Sequence, residues 1–82
     1  MTQVRVRYFA GAKAAAGRES EQVELTPGVT TLADLRELLG RRQGFEAVCL
    51  ASSFLVDGAQ ADPEADLSDG AVVDVLPPFA GG

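Results

Sequence analysis

Few residues in this 82-residue chain are able to do chemistry. It has no histidine, which excludes imidazole acid–base catalysis and triad chemistry. Cys49 is the single cysteine, so an intrachain disulfide is ruled out and a reducing cytoplasm is the expected setting. A zinc site would have to be assembled from carboxylates alone, a poor ligand set for that ion. Cys49 invites a role as a persulfide acceptor, but its neighbours Val48 and Leu50 favour a small buried hydrophobe. What remains is the closing stretch PPFAGG, Pro77 to Gly82.

Pro77 and Pro78 favour an extended backbone that collapses poorly. Beyond them Phe79, Ala80, Gly81 and Gly82 reach at most about 13 Å, at ~3.3 Å per residue. Gly81 and Gly82 lack a Cβ, so they can thread a tunnel too narrow for other residues. The reactive group such a tail delivers is the α-carboxylate of Gly82. A carboxylate is a poor electrophile and needs activation first, typically adenylation by ATP on another protein. The unhindered glycyl carbonyl can then accept sulfide, a thiol or an amine. Phe79 has little structural reason to sit on a tail and reads as an anchor for a partner's groove. Two terminal glycines alone are weak evidence, since composition gives them by chance at roughly 1%. A frayed end of small residues is the plain alternative. The proline stop and the elements upstream decide against it.

Those elements belong to one domain. Apolar residues make up 46% of the chain and charged residues 23%, a globular mix rather than a disordered one. No apolar run approaches the roughly 20 residues of a membrane span, and MTQVRVRYF lacks a signal-peptide pattern. Residues 1–42 carry all seven bases against five acids, while residues 43–82 carry seven acids and no base. An acidic second half argues against nucleic acid. It also leads us to expect a basic surface on whatever handles the C-terminus. The plainer reading is that these acids only keep a small domain soluble.

QVRVRYF (3–9) alternates strictly, Val4, Val6 and Tyr8 against Gln3, Arg5, Arg7 and Phe9, and predicts a half-buried strand. AGAKAAAG (10–17) predicts a short helix ending at Gly17, and ESEQVEL (19–25) a second strand with Val23 and Leu25 inward. After the turn TPGVT, Thr31 caps a helix with Leu32, Leu35, Leu38 and Leu39 on one stripe, which Gly44 is expected to end. EAVCLAS (46–52) is ambiguous between a helical turn and a strand. SFLVDGAQA predicts two short strands around Asp57-Gly58, a strong hairpin dipeptide. DPEADLSDG (62–70) reads as a loop with Leu67 plugged into the core, and AVVDVL (71–76) as the final strand, stopped by Pro77-Pro78.

This order predicts an α+β, β-grasp (ubiquitin-like) roll. It would have a mixed sheet of four to five strands, one main helix and short extra helices. Residues 1–76 form the domain and 77–82 an extended, flexible C-terminal tail. In such a roll the first and last strands run parallel at the sheet centre. Val73 and Val75 point inward, while Val72, Asp74 and Leu76 share the other face with Arg5 and Arg7, and Phe9 falls near Leu76. Such a mixed charged and apolar face suits partner docking, though it also fits an ordinary wet sheet surface.

VRVRYFAGAKAAAG, the Thr31–Gly40 helix, LVDG, LSDG and above all VVDVLPPFAGG resemble the MoaD/ThiS group of ubiquitin-like sulfur carriers over essentially the whole chain. The resemblance is nearest to the small subunits of molybdopterin synthase. It implies no bound cofactor on this chain. A MoeB-like adenylyltransferase, using ATP and Mg²⁺, would convert the Gly82 carboxylate to an acyl-adenylate, and a sulfurtransferase or cysteine desulfurase would supply the sulfur of a thiocarboxylate. It further implies that Pro77, Pro78, Phe79, Ala80 and Gly81 insert into a MoaE-like large subunit, in a heterotetramer of two small and two large subunits. There the sulfur passes to cyclic pyranopterin monophosphate. Phe9 and Leu76 fall where relatives place apolar docking residues. Gln60 departs from an apolar contact expected there, and residues 43–53 fit the family poorly.

Three alternatives stay open. One is the same carrier chemistry serving thiamin, cysteine or another thiometabolite. A second is a ubiquitin-like protein modifier, for which a single lysine, Lys13, makes chain building unfavourable. The third is a scaffold module with an inert tail.

Overall fold

The alternating segment at the N-terminus becomes β1 (Thr2–Tyr8), with Val4, Val6 and Tyr8 buried and Gln3, Arg5 and Arg7 exposed. The structure is a computed structural model and describes residues 2–78. The Ala-rich stretch forms α1 (Gly11–Ala16), closed by Gly17 in the left-handed conformation, where its N–H reaches the Lys13 carbonyl. β2 (Ser20–Leu25) returns antiparallel to β1, and Val23 pairs with Val4 on the inner face.

α2 (Leu32–Gly40) starts at a reciprocal cap: Thr31 Oγ1 accepts from Asp34 N–H, and Asp34 Oδ2 accepts from the Thr31 and Thr30 amides. The helix stops at Gly40, four residues before the expected Gly44. Residues 41–44 instead turn the chain, with Gly44 at φ 81°, so that Phe45 drops into the core. EAVCLA then forms α3 (Glu46–Ala51), which settles the ambiguity in favour of helix. Phe45 and Cys49, one turn apart, bury the same face. A Cβ on Gly40 would stand 3.9 Å from Cys49 Sγ, so the two helices approach closely there.

β3 (Ser53–Val56) and β4 (Ala59–Gln60) form the hairpin, with Asp57 and Gly58 both at positive φ, as a type I′ turn requires. β5 (Val72–Leu76) completes a mixed sheet of order β2-β1-β5-β3-β4, in which β1 and β5 are parallel and the remaining pairs antiparallel. Leu32, Leu35 and Leu39 share one core with Val4, Val6, Val73 and Val75, and the burial of Leu38 is partial. Leu67 plugs in from the 62–70 loop as expected. Among the described residues no helix is long and apolar enough to cross a membrane.

Folding rearranges the charge that the sequence divides by halves. The acidic loop is fastened to the far end of the sheet. Asp69 Oδ1 accepts from the Gln3 amide, the Ala65 carbonyl from Leu32, the Pro63 carbonyl from Ala33, and Asp57 Oδ1 from Val72. β1 and β5 both run away from this end, so Pro77 and Pro78 leave at the opposite one. Asp57, Asp62, Glu64, Asp66 and Asp69 therefore stand away from the tail, while Asp74 lies on the strand that leads to it.

Candidate functional site

The parallel pairing of β1 and β5 builds the surface at the tail's exit. Because Val4, Val6 and Tyr8 fill the core, Arg5 and Arg7 project from the opposite face of the sheet, and register extends that face row by row. Arg5 lies beside Val72. Arg7 lies beside Asp74, then Leu55, then Gln60. Leu76 lies beside Ser53. Phe9 follows Tyr8 at the exit end, its N–H donating to the Val75 carbonyl at 3.2 Å.

Asp74 pairs with Arg7 and not with Arg5. Arg7 Nε donates to Asp74 Oδ1 at 2.6 Å and Nη2 to Oδ2 at 2.9 Å, a two-pronged contact. Arg5 reaches the Ser20 hydroxyl instead, at 3.4 Å. The hydrogen bonds and charge of Asp74 push the Arg7 guanidinium further up, so it remains a cation. Asp74 is only 6% exposed, so the face is less mixed than its sequence suggests: its carboxylate is covered and neutralised. The Arg7 guanidinium also lies 5.6 Å from the centre of the Phe9 ring, which stays 38% exposed. Leu76 and Pro77 are half-buried and Pro78 exposed.

The structure thus brings Arg7, Phe9 and Leu76 to one surface where the tail begins, with Arg5 at its margin. Phe79, Ala80, Gly81 and Gly82 lie outside the described residues. Leu55 belongs to the same face, between Asp74 and Gln60, and the sequence reading missed it. Its signal was available: it lies two residues before Asp57, with Phe54 and Val56 turned inward on either side. Gln60, where an apolar residue was expected, is exposed at the end of that row.

Two further groups of titratable residues are locked into the fold. Cys49 is 3% exposed, its thiol donates to the Arg36 carbonyl at 3.3 Å, and burial pushes its pKa up. It is a core residue and a poor nucleophile. Tyr8 donates from its hydroxyl to Glu21 Oε2 at 2.5 Å, and Arg42 donates to both. Burial, then the Glu21 carboxylate, drives the Tyr8 hydroxyl well above its ordinary value. Burial alone would raise Glu21, but Arg42, Tyr8 and Arg18 outweigh it and its carboxyl titrates low. This cluster clamps the end of α2 to the β1–β2 edge, with no proton to exchange near neutrality.

Sheet order, a parallel central pair and a capped helix packed on one face define a ubiquitin-like β-grasp domain. The ThiS family model matches residues 6–82, and the chain belongs to that family, the ubiquitin-like sulfur carriers of the MoaD/ThiS type. The chain is similar to a Pyrococcus furiosus protein described as molybdopterin converting factor subunit 1. The two share 30% identity and a TM-score of 0.82, over 96% of this chain and 100% of that one. It is also similar, at 26% identity and TM-score 0.75, to a chain of the complex of subunits 1 and 2 of molybdopterin-converting factor from Helicobacter pylori, covering 99% and 100%. Small archaeal modifier protein 1 of Haloferax volcanii shares the fold at 19% identity and TM-score 0.80, over 96% and 100%. No curated protein matches the sequence.

Proposed function

We propose that this chain is the sulfur-carrying small subunit of a molybdopterin synthase. Its working group is the α-carboxylate of Gly82. In this reading a carboxylate oxygen attacks the α-phosphate of ATP on a partner adenylyltransferase, and pyrophosphate leaves. A persulfide sulfur on a sulfurtransferase or cysteine desulfurase then displaces AMP, and a thiol cleaves the S–S bond to leave the thiocarboxylate. The tail, Pro77 to Gly81, carries it into a large subunit, where cyclic pyranopterin monophosphate accepts the sulfur. The domain's own side chains take no chemical part. Arg7, Phe9, Leu76, Leu55 and, at the edge, Arg5 supply the surface that holds the partner while the tail is inserted.

The observation that carries this reading is the ending VVDVLPPFAGG in the sequence, whose strand residues Val72–Leu76 finish beside the Phe9–Arg7 surface. The likeness to subunit 1 of molybdopterin converting factors supports the choice among sulfur acceptors. The test is reconstitution from the purified chain, the adenylyltransferase, ATP, a sulfur donor, the large subunit and cyclic pyranopterin monophosphate. Sulfur should reach the pterin, and a chain lacking Gly82, or extended by one residue, should transfer none while melting at nearly the unaltered temperature. A chain lacking Gly82 that still transfers sulfur would end the proposal. Adenylation without transfer to the pterin would move the carrier to another thiometabolite. Isopeptide products would make it a modifier.

A further inference from the structure

The net charge of −5 conceals an axis. At the far end stand Glu24, Asp34, Asp57, Asp62, Glu64, Asp66 and Asp69, and one base, Arg41, already held by Glu37, shares a pocket with Asp34. At the exit end, Arg7, Lys13, Arg18 and Arg42 face Glu19, Glu21 and Asp74, a balance of +1, with Arg5 midway along β1 beside Val72. Two of those three acids are already committed: Asp74 to Arg7, and Glu21 to Arg42 and Arg18. Lys13 is exposed beside Phe9 and Glu19, and Arg18 holds Glu21 only at 3.7 Å. Lys13 on α1 and Arg18 just after its Gly17 cap are therefore a loosely engaged pair of cations at the exit end of the sheet.

Distance decides which end a docking partner feels. β1, seven residues at ~3.3 Å each, spans about 23 Å. The screening length at physiological salt is about 8 Å, so the acids at the far end are largely invisible from the exit. We infer that the exit end is an electrostatically selected docking surface, and that its occupant is an acidic protein rim bordering the channel in which the activating partner takes the tail. Lys13 and Arg18 are the contacting cations. The inference rests on the reading that another protein adenylates Gly82, and it reverses the basic partner surface suggested by the acidic second half of the sequence. Charge placed in this way raises the rate of productive encounter more than the final affinity.

ATP–pyrophosphate exchange by the adenylyltransferase, followed against concentration of the full chain, tests this. From about 50 to about 300 mM salt, kcat/KM should fall roughly tenfold with kcat little changed. The double variant Lys13→Glu, Arg18→Glu should lower kcat/KM by roughly tenfold at low salt and flatten the salt dependence. Lys13→Gln, Arg18→Gln should fall between, with thermal melting confirming that both variants fold. Asp62→Lys, Glu64→Lys, at the far end, should leave kcat/KM unchanged. A salt-independent kcat/KM, a rise on reversing Lys13 and Arg18, or an equal effect from the far-end variant would overturn the inference while exchange itself still upheld adenylation. Absence of exchange with the unaltered chain would remove the adenylation reading, and this surface with it.

Discussion

Arg5 and Arg7 stand two residues apart on one face of β1, yet only Arg7 meets a carboxylate. The sequence leaves both as candidates for Asp74, because the register of a parallel pair is set by strands more than sixty residues apart. The consequence is unequal cost. Arg7→Ala strands a buried Asp74 and releases the Phe9 ring, whereas Arg5→Ala removes one long hydrogen bond at the surface. Urea midpoints should drop clearly for Arg7→Ala and barely for Arg5→Ala; equal midpoints would show that Asp74 finds another partner. The Glu21 cluster was equally hidden, since Tyr8, Glu21 and Arg42 meet only after α2 is laid across the sheet. Its carboxyl titrates below the ordinary 4.5, so its contribution is present above that pH and is lost as pH falls through the folded value. The gap in urea midpoint between the unaltered chain and Glu21→Gln should therefore be wide at pH 7 and narrow steadily as pH falls below 4.5. A gap that does not change with pH would mean the cluster holds by shape alone.

α2 shows what sequence patterning reveals well. Its leucines recur at helical spacing and Thr31 precedes them with Asp34 three residues on, so start, face and core contribution were all legible. Thr31→Ala should cost about 1 kcal/mol by orphaning the Asp34 amide. Leu35→Ala should cost about 2–5 kcal/mol, set against about 4–12 kcal/mol for a domain of this size. Chemical denaturation measures both, and a Thr31→Ala loss as large as that of Leu35→Ala would contradict the packing hierarchy. β1, β2, β5 and the Asp57-Gly58 hairpin were legible for similar reasons, period two and turn chemistry. α3 was not. Six residues with four aliphatic side chains and a cysteine fit either period, and the choice was made by Phe45 and Cys49 sharing one buried side while β3 takes the sheet position. The end of α2 was misplaced because Gly44 looks like a stop, whereas the turn that seats Phe45 begins at Gly40.

The fold as a unit explains why the tail emerges where it does. A parallel β1–β5 pair delivers Phe9 and Pro77 to one end, and the acidic loop is sewn to the other. Phe9→Asp should therefore weaken binding to the proposed large subunit by about tenfold or more while shifting the melting temperature little, because the ring stands at the surface and outside the core. A variant that melts early and binds normally would reverse that assignment. The central claim is that Gly82 is the working residue and that its carboxylate is activated by another protein. The most direct measurement is the intact mass of the chain isolated from cells making molybdopterin. The account predicts a species about 16 Da heavier, one oxygen replaced by sulfur, that disappears when Gly82 is deleted. An unmodified mass alone, or a heavier species that survives the deletion, would contradict it.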